Sequence, residues 1–171
     1  MGEHWPVLTV RPPWSWALLH GKDVENRTWS TDYRGSLLLH AGARSRWDPD
    51  GAASPFVRHE WDRHVRRIPG WPGLPFSDVE LNRKTTLMPF GAVVAVAELV
   101  ACHLSPDFGG TCGATRTLCS PWAARDQYHW LLSDVRPLPE PVPCRGMLGL
   151  WRLPDDVERL VREQLEEESC P

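Results

Sequence analysis

Residues 21–41 read GKDVENRTWSTDYRGSLLLHA, and two strands of the predicted sheet come from this one segment. The first is predicted at residues 23–29, where an extended backbone would place Glu25 and Arg27 on one face. Residues 35–41 follow a turn and form a nearly continuous apolar run. Such a run is typical of a strand that is buried on both faces.

The flanking sequence supplies further short elements, separated by proline and glycine. Pro12 and Pro13 open a short helix, and Gly21 is placed to end it. Residues 91–102, GAVVAVAELVAC, give the clearest strand prediction in the chain. The pattern predicts an α+β fold, a small mixed or antiparallel β-barrel with flanking helices. The other predicted elements are strands at 8–10, 128–132 and 146–153 and helices at 54–67 and 155–168.

The chain has 171 residues and a net charge of −3, and this charge is unevenly distributed. Residues 155–171 hold seven acids and two bases, and we interpret them as a C-terminal acidic helix and tail. Residues 1–154 form the predicted barrel domain and are slightly basic. This balance disfavours electrostatic wrapping of a duplex but is compatible with a locally basic groove.

Composition also bears on the compartment and the partners of the protein. No apolar run approaches the roughly 20 residues that a membrane span needs, so we expect no membrane partner. The first ten residues lack the basic segment of a signal peptide, which predicts a cytoplasmic protein. The five cysteines are an odd number, and we expect free thiols in a reducing compartment. We expect a monomer or a weak homodimer.

Charged and aromatic residues cluster around the GKDVENR segment. Lys22, Glu25 and Arg27 lie within six residues, Trp14 precedes them and Trp29 follows them. Flat indole surfaces can stack a nucleobase while a carboxylate and two cations bind its edge and phosphate. The alternative is a structural Glu–Arg pair that ties a strand to a helix. Trp122 is a further candidate for base stacking.

Glu98 is the only charged residue in the apolar run of residues 91–102. A carboxylate is costly to bury without a partner, so we expect Glu98 to face a cavity that it shares with Lys22 or Arg27. The alternative is that Glu98 points outward at a sheet edge.

Several of these motifs resemble the ASCH domain, a family in the PUA-like superfamily of β-barrels. The resemblance covers most of residues 6–152 and is most specific in the Gly-Lys-x-x-Glu-x-Arg segment and the YRG-x-LL-x-HA block of residues 33–41. It extends to LTVRPPW at residues 8–14, to the strand at 91–100 and to the ending at 130–151. The resemblance implies a barrel with a cleft beside the first helix and a role in binding RNA or other nucleic acid.

Some proteins similar to the ASCH domain are enzymes. Small members hydrolyse the acetyl amide of acetylcytidine with a Lys, a Thr and a Glu from a later strand, and others are reported as ribonucleases. By position, the Lys corresponds to Lys22 and the Glu to Glu98. The Thr position falls on Glu25, so the hydroxyl nucleophile is missing there.

Our main prediction is therefore a protein that binds RNA, single-stranded nucleic acid or a modified nucleotide, without a cofactor, through Lys22, Glu25, Arg27, Trp14 and Trp29. The alternative is a metal-independent hydrolase of RNA or of a modified nucleoside, with Lys22 and Glu98 as the reacting pair. A third interpretation is a regulatory or structural protein whose cleft has lost its ligand.

A zinc site is a separate alternative for residues 102–119. Cys102, His103, Cys112 and Cys119 have the right ligand chemistry, but no C-x2-C motif is present, and free cysteines are the default. Adjacent side chains in a strand point to opposite faces, which separates Cys102 from His103 if the strand continues to there. We interpret His129 as a core histidine.

Overall fold

A computed structural model describes residues 4–43, 89–105 and 117–168 of the chain, together with His59, Arg63 and Cys112. Within these residues the fold comprises six strands, one short helix and one longer helix. The strands are β1 (Val7–Val10), β2 (Val24–Arg27), β3 (Gly35–Ala41), β4 (Ala92–Leu104), β5 (Tyr128–Pro143) and β6 (Leu150–Trp151); the helices are α1 (Trp14–Leu19) and α2 (Asp155–Glu168).

The six strands form one curled, mixed sheet with the order β2-β5-β4-β3-β1-β6. Strand β1 runs parallel to β3, and every other neighbouring pair is antiparallel. In the part of the chain that the structure describes, β2 and β6 are the two edges, so the sheet is a half-barrel. The predicted α+β class and barrel-like curvature are confirmed at this level.

Apolar side chains cover both faces of the sheet. The first core includes Leu37, Leu39 and Trp130, and the second includes Leu38 and Val96. Alternate residues of β3 therefore enter different cores, as its continuous apolar run predicts. The acidic helix α2 packs on the second core through an apolar stripe that contains Val161 and Leu165.

Strand β5 is longer than the sequence predicts. The prediction ends the strand at residue 132, before four prolines at alternate positions, but β5 continues to Pro143. Strand β2 pairs only with residues 128–131, so among the described residues the rest of β5 has β4 as its one neighbouring strand. A strand edge tolerates proline because the missing N–H can face away from the ladder.

The remaining sequence predictions differ in outcome. Strand β3 and helix α2 have the predicted bounds, whereas β2 and β6 are shorter than predicted. The helix predicted at 54–67 lies outside the described residues, apart from His59 and Arg63, which are both helical. No helix within the described ranges is long and apolar enough to cross a membrane.

Candidate functional site

The turn after α1 places Lys22 at the entrance to β2. The backbone N–H groups of His20 and Lys22 both donate to the carbonyl oxygen of Ala17, at 3.0 and 2.9 Å. Gly21 has a φ of +100°, in the left-handed region where a side chain is strained. Gly21 thus reverses the chain and directs the Lys22 side chain back toward β2.

Lys22, Glu25 and Arg27 form a connected ion triad. Lys22 Nζ donates to Glu25 Oε2 at 2.6 Å and also to the carbonyl oxygen of Val24. Arg27 Nη2 lies 3.2 Å from Glu25 Oε1 and donates to the carbonyl oxygen of Thr9 at 2.7 Å. Each carboxylate oxygen of Glu25 therefore faces one cation, as a buried carboxylate requires.

The ion triad differs in exposure from one member to the next. Lys22 is 2% exposed and Glu25 is 7% exposed, whereas the Arg27 side chain keeps 22% of its surface accessible. Arg27 Nε is buried without a hydrogen-bond partner among the described residues. The triad thus ties β2 to β1 through Arg27 and to the turn after α1 through Lys22, and Arg27 is the more accessible of its two cations.

Two cavities meet at Trp14 and Glu25, which line both of them. The first cavity is lined by Lys22, has a volume of about 330 Å³ and is called the lysine cavity below. The second is lined by Arg27, has a volume of about 460 Å³ and is called the arginine cavity. Both volumes fall in the range of roughly 300–1,000 Å³ that is typical of ligand pockets. The lysine cavity is lined by Trp14, Lys22, Glu25, Asn26, residues 121–124 and Gln127, and the arginine cavity by Thr9, Arg11, Trp14, Glu25, Arg27, Trp29 and residues 147–149.

Of the three candidates for base stacking, Trp14 and Trp29 line the arginine cavity, and Trp122 lines the lysine cavity. The Trp14 ring centroid lies 5.9 Å from Lys22 Nζ. Trp29 packs edge-on against Trp130, with ring centroids 4.6 Å apart, and its carbonyl oxygen accepts a hydrogen bond from Trp130 Nε1 at 3.1 Å. These contacts hold Trp29 in place through the first core.

Residues 121–124 form one wall of the lysine cavity, and the sequence indicates only Trp122 among them as a candidate for base stacking. Asn26 Nδ2 donates to the carbonyl oxygen of Trp122, and the Ala124 N–H donates to Asn26 Oδ1, both at 2.8 Å. Ser120 Oγ donates to Asp23 Oδ1 at 2.5 Å. The segment of residues 120–124 is therefore attached to the GKDVENR segment by polar contacts. These contacts link positions nearly 100 residues apart, so no local sequence motif could have predicted them.

The structure does not bring Glu98 to Lys22. Glu98 pairs with Ser36 in the sheet, and its Oε2 accepts a hydrogen bond from Ser36 Oγ at 3.0 Å. The flanking residues Ala97 and Leu99 belong to the first core, so Glu98 points to the opposite face of the sheet. Glu98 lines neither the lysine cavity nor the arginine cavity.

Histidine and cysteine side chains gather on a different part of β4 and β5. His103, Cys112, Cys119 and His129 have potential ligand atoms that all lie within 4.8 Å of one another. Cys102, which the zinc alternative included, packs against the first core instead, and His129 occupies the fourth position. Only the strand register, which pairs His103 with His129, could have indicated that histidine.

Burial shifts the pKa values of two side chains in this cluster. Burial and the neighbouring Cys112 raise the pKa of the Cys119 thiol to about 11. Burial, together with His129, lowers the pKa of His103. The cysteines within the described ranges, Cys102, Cys112, Cys119 and Cys144, are free thiols.

Comparison of the sequence with models of protein families and with curated proteins gives no match. The class of the protein is therefore described by its fold and by its candidate site. It is an α+β protein with a curled half-barrel sheet, and its two cavities share Trp14 and the Glu25 of the ion triad.

Proposed function

We propose that this chain is an ASCH-type, PUA-like domain that binds single-stranded RNA or a modified nucleotide in the arginine cavity. The observation that carries the proposal is the meeting of Arg27, the Glu25 carboxylate and two indole rings around one open space of about 460 Å³. Flat aromatic walls beside fixed donors and acceptors are the usual means of recognising an unstacked base.

Each group in the arginine cavity has a defined role in this proposal. Trp14 or Trp29 stacks on the base. Glu25 already accepts a hydrogen bond from Lys22 and forms an ion pair with Arg27, but a carboxylate oxygen has a second lone pair that can accept from a base amino group. Arg11 is exposed at the rim and supplies a charge-assisted contact to phosphate.

Binding in the arginine cavity would involve few phosphate groups. The chain carries a net charge of −3, and the two arginines of the arginine cavity could neutralise only one or two phosphates. We therefore expect a weak salt dependence, with a slope of log K against log salt between about −0.7 and −1.4 for a single strand. A steep slope would indicate a long phosphate track, which is a different mode of binding.

The positions of Lys22 and Glu98 disfavour the hydrolase alternative. It needs Lys22 and Glu98 to act on the same substrate atom, and general acid–base groups must lie within hydrogen-bond reach of the proton that they transfer. Glu98 points away from the face that carries Glu25 and the first core.

The experiment is a titration of labelled oligoribonucleotides, oligodeoxyribonucleotides and free nucleotides, followed by anisotropy or calorimetry. We expect saturable binding that Trp14→Leu weakens about tenfold, since base stacking contributes about 1–3 kcal/mol. Arg11→Ala should weaken binding to phosphate-bearing ligands. The matched control is Arg159→Ala, which removes the same charge from the exposed face of α2.

Three results would overturn the proposal. These are the absence of saturable binding to every nucleic acid and nucleotide tried, equal weakening by Arg159→Ala and Arg11→Ala, and recovery of the ligand as a new product, which would instead make the protein an enzyme.

A further inference from the structure

We propose that His103, Cys112, Cys119 and His129 form a structural zinc site at the end of the sheet. His103 lies near the end of β4 and His129 near the start of β5, and the two are direct partners across the antiparallel pair. Their rings are therefore on the same face, with centroids 5.3 Å apart and nearly perpendicular planes. Cys112 and Cys119 approach this histidine pair from the chain between the two strands.

Three sulfur–nitrogen distances fit one tetrahedral ion, and all four ligand atoms lie within 4.8 Å of one another. Cys112 Sγ lies 3.3 Å from His103 Nε2 and 3.3 Å from His129 Nδ1, and Cys119 Sγ lies 3.4 Å from His129 Nδ1. A tetrahedral zinc ion with Zn–S bonds of about 2.3 Å and Zn–N bonds of about 2.0–2.1 Å separates its ligand atoms by roughly 3.3–3.8 Å. The contacts found between sulfur and nitrogen lie at the short end of this range.

The contacts of His129 indicate which of its ring nitrogens is free to bind a metal ion. His129 Nε2 lies 2.7 Å from the carbonyl oxygen of Ala124, a contact that requires the proton of the neutral ring to be on Nε2. His129 Nδ1 then offers a single lone pair, yet the sulfurs of both Cys112 and Cys119 approach it. One S–H donor can use that lone pair, and Cys112 Sγ also lies 3.3 Å from His103 Nε2, so both imidazoles turn a ring nitrogen toward the same pair of sulfurs.

The contact with Ala124 is also the feature expected of a metal-bound histidine. Histidine ligands commonly donate their second ring N–H to a backbone carbonyl, which sets the ring orientation and the tautomer. Two thiolates and two imidazoles are a common ligand set for structural zinc. Cys112 and His129 are buried, whereas Cys119 is exposed and provides a route for the ion to enter.

The zinc site would organise one wall of the lysine cavity. Cys119 directly precedes residues 120–124, which contact Asp23 and Asn26, and Ala124 accepts the hydrogen bond from His129. An ion bound to Cys119 and His129 would hold both ends of this short segment. The zinc proposal does not depend on nucleic-acid binding, because metal content is measured without any ligand.

The test begins with the metal content of the full chain, purified from zinc-supplemented medium. We expect about one zinc ion per chain, removed by a strong chelator. Cys119→Ser should lose most of this zinc, because the substitution removes a thiolate from an exposed position. Cys144→Ser is the matched control: the chemical change is the same, Cys144 is outside the cluster, and the zinc content should be unchanged.

A second measurement remains informative if Cys119→Ser does not fold. Replacement of zinc by Co²⁺ in the wild-type chain should produce the visible absorption of a tetrahedral ion with a thiolate-to-metal charge-transfer band. Cys112 and Cys119 should also resist alkylation until a chelator is added. A wild-type chain that takes up neither ion, or a folded Cys119→Ser variant with undiminished zinc, would overturn the proposal.

Discussion

Glu25 holds the Lys22 ammonium at 2.6 Å in a place that is nearly closed to water. The pair lies between the end of α1 and the edge strand β2, and Arg27 completes its charge balance from the same strand. A buried pair of this kind is sensitive to the loss of either member, because the other charge is left without compensation.

Lys22→Met should therefore lower the free energy of unfolding by about 3–5 kcal/mol, measured by urea denaturation at neutral pH. The double variant Lys22→Met/Glu25→Leu should be less destabilised than the sum of the two single variants, since no unpaired charge remains in the pair. A loss below about 1 kcal/mol for Lys22→Met would show that the pair is not effectively buried.

Gly146 lies against the ring of His40. A Cβ atom at residue 146 would lie 2.5 Å from His40 Cε1 and 2.7 Å from His40 Nδ1, closer than non-bonded atoms can approach. Gly146→Ala should destabilise the fold by about 1–3 kcal/mol, measured by thermal or urea unfolding. The matched control is Gly42→Ala, where the nearest atom would lie at an ordinary 3.6 Å. Equal effects at the two positions would contradict the close packing at His40.

His40 makes the stability of the fold sensitive to mild acid. Burial lowers the pKa of His40, although the carbonyl oxygen of Cys144 accepts from its ring. The unfolded state therefore binds the proton more readily, and the contribution of His40 is complete above its unfolded pKa of about 6.5 and decreases as the pH falls through and below that value. His40→Gln should flatten this part of the curve of unfolding free energy against pH. An unchanged slope between about pH 7.5 and pH 5 would refute the assignment.

Glu158 adds a second pH dependence at lower pH. Burial raises the pKa of this carboxyl, but its hydrogen bonds with Arg162 and His4 more than offset burial, so the pKa lies below the ordinary value. Its contribution to stability is present above the unfolded pKa and is lost as the pH falls through the folded pKa. Glu158→Gln should destabilise the chain at neutral pH and have a smaller effect in strong acid. The comparison variant Glu163→Gln changes an exposed carboxyl of the same helix and should have little effect at either pH.

Elements that depend on local patterns were predictable. The apolar run of β3 and the apolar stripe of α2 each specify an element without reference to the rest of the chain, and both have the predicted bounds. The extension of β5 through its prolines was not predictable in this way. It depends on where β2 ends and on the edge of β5 that no other described strand pairs with, which is a property of the whole sheet.

In the candidate site, too, the residues that are close in sequence were predictable and the residues brought together by strand register were not. Lys22, Glu25 and Arg27 are close in sequence, so a turn and a strand suffice to bring them together. Whether the Glu98 side chain reaches the cavities depends on which face of β4 meets them, and period-two alternation alone does not decide that. His129 joins the cysteines only through its register with His103.

Strand β2 has consequences for how the site would move. It carries two members of the ion triad, yet within the described ranges it pairs with one neighbouring strand over four residues at one margin of the sheet. Amide protons along such a margin exchange with solvent through small openings that leave the rest of the fold intact. We expect hydrogen exchange to be faster in β2 than in β3, which lies between two strands, and access to the buried triad to occur through fraying of this margin rather than through global unfolding.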